Sequence, residues 1–493
     1  MNISSNVAIA RLLPIAALVT LSLAGCSYQM ERVDNPVKLP VAWDTPPAAA
    51  AAPLTQDPAA QPGTAATASI DGALPQDWWQ AFGSPVLTQL VEEALAGNPT
   101  VKIAEERVKQ AERALSVSRD SLFPDLSLSA TTSRGKTGGN RTVDMISEST
   151  SVNAQLRYDV DMWGGNAAGL RSSKASLAAT NYDLDTARIT LSANVATQYF
   201  SLLSIRARVA IARNNLELSE RLLRIVDARY RNGVVRQLDL TQQTTAVLQL
   251  RAALIPLEAQ ERQTETALGL LLGRVPQEFH VAGQEPFEQI TVPEVQPWLP
   301  SELLMRRPDL AAAEADLSAA QANIAVARAN LLPGAITFTA GGGLFSPELL
   351  ALTDPTKTFS ISGALSIVDS IFNFRARKAQ LANARSSEFI TLQNYASAIR
   401  SALKDVDDSL ANAQTNLRRE ESQQAVVEQA QRALSLAEVE YREGSGDLQS
   451  ILDGQRTLFS AQDQLSQLRL ARLNSALDLY VALGGGWSAP GAP

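Results

Sequence analysis

The 493 residues carry 43 Lys and Arg against 51 Asp and Glu, a formal charge of −8, with one cysteine and one histidine. That acidic balance argues against nucleic acid, which is bound through clustered Lys and Arg. A single cysteine excludes an intramolecular disulfide, and a single histidine, His280, leaves little room for acid–base chemistry or a metal site.

The chain opens on an address. Leu12–Ala24 is a short apolar run, interrupted by Pro14, preceded by Arg11 and closed by Leu23-Ala24-Gly25-Cys26. Small residues before a cysteine read as a bacterial lipoprotein signal over 1–25, cut before Cys26. An ordinary secretory signal with an incidental cysteine is the competing reading. The run falls short of the ~20 apolar residues that span a bilayer. Diacyl chains on Cys26 would anchor the protein at ~0.8 kcal/mol per buried methylene. Ser27, where aspartate would favour inner-membrane retention, is compatible with the outer membrane. Cleavage removes only one charge, Arg11, and leaves the mature chain near −9. Residues 26–75 follow, with Pro46-Pro47, Ala48–Ala52, Pro53, Pro58 and Pro62. This composition buries no core and predicts an extended tether.

The remainder is two similar halves, 76–273 and 300–487, joined by a linker over 274–299 and followed by a tail, 488–493. Pro99 pairs with Pro308, Glu105 with Glu314, Arg119 with Arg328 and Pro124 with Pro333, at a constant offset of 209. Tyr230-Arg231-Asn232-Gly233 matches Tyr441-Arg442-Glu443-Gly444 at 211. Such self-similarity decides a fold. Each half reads as helix, two strands, a very long helix, a tight turn and another long helix.

The strands are expected near 125–134, 151–161, 335–343 and 358–368. Val152, Ala154, Leu156, Tyr158 and Val160 alternate with Asn153, Gln155, Arg157 and Asp159. One apolar and one hydroxylic face suits an antiparallel sheet on a core, and equally a transmembrane barrel with a wet lumen. Nine to eleven residues is about the length of a tilted membrane-crossing strand. The helices break the tie. Val195, Leu202, Val209, Leu216, Leu223 and Tyr230 recur every seven residues, with Ile205, Ala212 and Val226 alongside, and 374–441 repeats the pattern with Leu403, Leu410, Leu417, Val427 and Leu434. Sustained heptads predict coiled-coil packing. A helix from 167 to 230 is roughly 95 Å long, which suits a periplasm-crossing tube and not a compact domain. Four strands cannot close a barrel, and an open edge in lipid costs several kcal/mol per unsatisfied group. Copies of the chain are therefore expected to share one barrel.

Specific segments now carry a resemblance. Trp78-Trp79-Gln80-Ala81-Phe82, Tyr158–Gly164, Leu270-Leu271-Leu272-Gly273, Leu299–Asp309 with its Arg306-Arg307-Pro308-Asp309, and Ala482–Trp487 resemble the TolC/OprM-type outer-membrane factors. The similarity runs from about residue 26 to 487. It implies a mainly α fold with a β-barrel: a homotrimer closing twelve strands in the outer membrane, above a twelve-helix periplasmic tunnel. An equatorial girdle would draw on about 70–97, 274–299 and the C-terminus. The resemblance implies outer-membrane lipid, a periplasmic membrane-fusion adaptor and an inner-membrane pump of the resistance-nodulation-division (RND) type as partners. It implies no cofactor and no enzymatic activity.

By the same resemblance, Gly233 and Gly444 form the periplasmic tip turns, a role that the positive backbone angle of glycine suits. The gate aspartate falls on Asp453, and a tyrosine linking neighbouring helix pairs falls on Tyr441 with Asp239 as its acidic partner. Two departures stand out. Gln449 occupies the position of a leucine ring found in some relatives, and Ser450 that of a second aspartate. A gate here is expected to close more through polar contacts than through an apolar plug. His280 lies on a polar loop, where solvent exposure is commoner than metal ligation. The five methionines give no support for a copper- or silver-dedicated channel. The expected function is the exit channel of a tripartite efflux pump for drugs or other small molecules. The alternative is a duct for type I protein secretion or for metal or signal-molecule export. A periplasmic coiled-coil adaptor would share the helices but has no reason for four bilayer-length strands.

Overall fold

The computed structural model describes residues 37–40, 43, 75–137, 145–281, 285–293, 300–332, 335–346, 358–368 and 373–489. Cys26 and the signal lie outside them. In chain order the principal elements are α1 (Pro85–Gly97), α2 (Pro99–Asp120), β1 (Asp125–Thr137), β2 (Met145–Val160), α3 (Gly165–Arg231) and α4 (Gln237–Leu271). After the linker come α5 (Pro308–Leu331), β3 (Ala335–Ser346), β4 (Thr358–Val368), α6 (Phe374–Arg442) and α7 (Leu448–Ala482). The chain divides into two compact units, and the repeated halves contribute to both: one unit holds Ser116–Ser173 and Ser318–Ile390, the other Val37–Leu115, Lys174–Leu317 and Thr391–Pro493. Duplication here produced neighbouring pieces of each unit, not two domains.

The first unit is built on one antiparallel sheet in the order β1-β2-β3-β4. Its register keeps the alternation of each strand in phase with the next. Leu126 lies opposite Leu156, Leu156 opposite Ala340, and Ala340 opposite Gly363. β2 is longer than its alternation suggests, because Thr137 to Ser133 pair with Met145 to Ser149 above the apolar stretch.

The second unit has an aromatic centre. Trp78 stacks on Tyr480 at 5.7 Å, and Phe82 meets Phe200 at 5.0 Å. α3 supplies Val195, Leu202 and Val209 to the buried line, as the seven-residue repeat predicts, and then the line shifts. Ala212, Ser219 and Val226 are buried while Tyr230 is exposed. A straight helix drifts ~20° per heptad against a strict repeat, so the buried column must eventually move to its neighbour. Val37, Leu39 and Trp43 also pack against this core. The tether is therefore pinned at Val37, Leu39 and Trp43, which its overall composition hid. No described helix is long and apolar enough to cross a membrane.

Candidate functional site

The sheet offers two chemically opposite faces. On one, Leu126 and Leu128 are 71% and 76% exposed, in line with Val160, Phe338 and Leu344. On the other, Ser127, Ser129, Asn153, Gln155 and Thr337 follow each other across the strands. Asn153 sits opposite Gly343, where a Cβ would fall 2.1 Å from the Asn153 Oδ1, so the amide itself fills the space of a side chain. Thr337 Oγ1 donates to Asp159 Oδ1 at 2.6 Å, and Arg157 donates to the same oxygen at 3.3 Å. An exposed apolar face backed by a hydroxyl-, amide- and charge-bearing face is the arrangement of a wall between lipid and water.

The long helices reverse at Gly233 (φ 72°) and Gly444 (φ 80°). Val234 N donates to Arg229 O and Gly233 N to Tyr230 O, both at 2.9 Å; Ser445 N donates to Glu440 O at 3.0 Å and Gly444 N to Tyr441 O at 3.3 Å. Both turns are Schellman closures, which satisfy the last helical carbonyls through a left-handed residue. The same closure recurs where α4 and α7 end, at Gly273 and Gly484. There the repeat has a structural meaning. Asn98 Nδ2 donates to Leu271 O at 2.7 Å, and Arg307, its counterpart at an offset of 209, donates to Ala482 O at 3.2 Å. Each half ties the start of the helix that leads into its strands, α2 or α5, to the end of its last helix. Arg307 also holds Asp309 through two bonds of 3.0 and 2.7 Å and lies 3.5 Å from Asp405, which explains the Arg-Pro-Asp motif. Burial disfavours its charge, but these two carboxylates more than offset that and raise its pKa.

Tyr441 and Asp239 form no hydrogen bond within the chain. Asp239 occupies the first turn of α4, where its Oδ2 accepts from Arg236 N at 3.0 Å in a capping box. An acid at that position satisfies an orphan N–H of its own helix before reaching elsewhere. The Tyr441 hydroxyl is buried with no hydrogen-bond partner among the described residues, and the Arg229 guanidinium lies 4.7 Å over its ring. Val226, Leu448 and Leu452 form the apolar cluster beside it. Asp453 is exposed, accepts from Gln449 Nε2 at 3.1 and 3.2 Å, and lies 3.8 Å from Arg456. Ser450 donates its N–H and hydroxyl to the Asp447 cap of α7, at 2.8 and 2.7 Å. Those bonds pull the Asp447 carboxyl below its ordinary value. A groove of about 460 Å³ nearby is lined by Ser219, Thr245, Gln249, Gln449, Arg456 and Phe459.

Sequence reasoning missed the polar ties between helices. Arg208 donates to Asp463 at 2.6 Å, joining α3 to α7 across the two halves. Buried Glu420 receives Arg469 at 3.1 Å and Arg472 at 2.9 Å, while Arg469 also holds the carbonyls of Phe287, Glu288 and Ile290. This clamp secures the linker. No pattern in the sequence separates these charges from solvated ones. His280 is exposed beside Glu265 at 3.2 Å, and no metal-ligating cluster occurs among the described residues.

Residues 90–274 and 299–485 match the family described as outer membrane efflux protein. The chain belongs to that family. The family is matched twice along the chain. The efflux channel is 37% identical over 420 residues to the pyoverdine export outer membrane protein OpmQ of Pseudomonas aeruginosa, covering 84% of this chain and 88% of that one. It is 30% identical to a probable efflux pump outer membrane protein, TtgC, of Pseudomonas putida, covering 90% and 92%. Among solved structures it superimposes on the outer-membrane channel OprN with a TM-score of 0.79 at 25% identity, covering 93% of this chain and 99% of that chain. The open-state MtrE channel of Neisseria gonorrhoeae gives 0.77 at 25%, with 93% and 97% covered. The protein is thus an efflux channel of the outer membrane and not an enzyme. Family members act as outer-membrane components of tripartite pumps, with an adaptor and an inner-membrane transporter.

Proposed function

We propose that this efflux channel works as a homotrimer, each copy adding four strands to one twelve-stranded barrel, and passively conducts small molecules delivered by an adaptor and an RND-type pump. The observation that carries this reading is the sheet itself: it is apolar on one side, hydrophilic on the other, and ends in two unpaired edges at β1 and β4. In lipid those edges need partners. Cys26 is the proposed lipid anchor, and Cys26→Ser is expected to abolish palmitate labelling. Gly233 and Gly444 mark the proposed tips. Asp453 is the proposed gate residue, three copies forming a ring of negative potential that favours cations. Gln449 and Arg456 beside it would temper that field. Planar-bilayer recording tests the reading. Wild-type protein should conduct with a cation preference that Asp453→Ala weakens, and an unchanged preference would remove Asp453 from the gate. The relatives named for pyoverdine export are the more similar, at 37% against 30% for the relative named TtgC. A secreted metabolite of that kind is therefore the first cargo to test.

A further inference from the structure

Where the strands join the helices, cations outnumber acids, against the balance of the whole chain. Residues 116–124, 161–173, 325–332 and 373–380 carry Arg119, Arg171, Arg328, Arg375, Arg377 and Lys378 against only Asp120 and Asp161. The whole protein has the opposite balance, 43 cations to 51 acids. Asp161 is also engaged, its Oδ2 accepting from Ala167 N at 2.8 Å. Arg119, Arg171, Arg375 and Lys378 are exposed and make no ion pair among the described residues. At 1.5 Å per residue, all six cations lie within ~10 Å of the helix ends that adjoin the strands.

Aromatic side chains mark the same level. Phe123 is 68% exposed, Trp163 46% and Phe374 57%. Rings exposed just beyond an apolar strand face are the belt that forms at a membrane–water interface. A headgroup layer is roughly 5–7 Å deep on each side of the hydrocarbon, within reach of a long cationic side chain. At the loop end of β1 and β2 the pattern differs, because Arg134 is paired with Glu148 at 3.2 Å.

We infer that Arg119, Arg171, Arg375 and Lys378 form a collar that binds the headgroups of anionic phospholipid in the leaflet facing the periplasm. The inference rests on the sheet spanning the bilayer with its helical end toward the periplasm. Unpaired cations attract an anionic surface over about a Debye length, ~8 Å at physiological salt. The collar would set the depth at which the barrel sits, and aromatic rings alone would not select lipid charge.

Full-length protein reconstituted with phosphatidylcholine, phosphatidylglycerol or a mixture tests this. Lipid retained through mild detergent extraction is counted by native mass spectrometry. Wild type should retain phosphatidylglycerol several-fold over phosphatidylcholine at low salt, with the preference fading as salt rises. R119Q/R171Q/R375Q/K378Q should retain both lipids equally while conducting with unchanged ion preference. Equal retention by wild type overturns the collar outright, even if the variant fails to fold. So does a variant that keeps the preference. A variant that alters ion selectivity would place the cations in the lumen, and one that loses its oligomer would place them between copies; either overturns the lipid assignment. Insertion and conductance of wild type in phosphatidylcholine alone check the bilayer-spanning reading separately.

Discussion

Tyr441 packs its ring under the Arg229 guanidinium with its hydroxyl buried and unbonded, while Asp239 caps its own helix. A cation–π contact is worth ~0.5–2 kcal/mol depending on how far it is desolvated. A buried hydroxyl without a partner costs ~1–3 kcal/mol. Tyr441→Phe is thus expected to leave resting conductance unchanged and to raise thermal stability, whereas Arg229→Gln loosens the tip and raises resting conductance. A leak in Tyr441→Phe would mean that the hydroxyl finds a partner in the assembled channel. Asp316 gives a pH-dependent case. Its carboxyl is pushed up by burial and then by the neighbouring Asp183 carboxylate. A raised acid holds its proton more tightly folded than unfolded, so its favourable contribution is complete below ~pH 4, the unfolded value, and lost as pH rises through the folded one. Asp316→Asn should therefore raise the melting temperature at pH 7 and give no such gain near pH 3. A pH-independent shift would point to packing instead.

At the scale of elements, the sheet's two faces predict unequal tolerance. Leu156 lies opposite Leu126 and Ala340 on the apolar face, and Gln155 opposite Ser127 and Gly341 on the hydrophilic one. Arginine facing lipid near mid-bilayer costs ~2–4 kcal/mol, so Leu156→Arg should lower the yield of heat-resistant oligomer sharply. Gln155→Arg should be nearly neutral; equal damage by both would refute the assignment of faces. These faces were legible in advance because a strand's side chains alternate with period two, and the register preserves that alternation from β1 to β4. The long helices were legible for a similar reason: seven-residue spacing persists across Val195, Leu202 and Val209. What stayed hidden was local competition. Asp239 and Asp447 look like surface acids until the helix starts at Arg236 and Asp447 are fixed, and then their caps take precedence over longer reach. Arg208 and Asp463 are 255 residues apart, and no periodicity announces their meeting. The turn to the Ala212–Val226 line was likewise invisible, since it follows from helical drift and not from any change in the repeat.

For the whole molecule, the decisive quantity is the number of strands per copy. Four strands in the order β1-β2-β3-β4 leave β1 and β4 each with one unpaired side. Every unsatisfied backbone group in hydrocarbon costs several kcal/mol, and edge strands of 13 and 11 residues present enough of them to outweigh the loss of freedom on association. In the proposed assembly the barrel closes through β4 of one copy meeting β1 of the next, a head-to-tail contact that repeats until the ring shuts. Two copies would give eight strands, a width that side chains fill, whereas the polar face here implies a wet interior. Three give twelve and leave room for a solute. Co-expression of two versions differing only in tag length distinguishes these closures. A trimer yields four bands on an unheated detergent gel, one for each mixture from all-short to all-long, and these collapse to two monomer bands on boiling. Three bands would indicate a dimer, and two bands without heating would indicate a barrel closed by a single chain, which four strands do not permit.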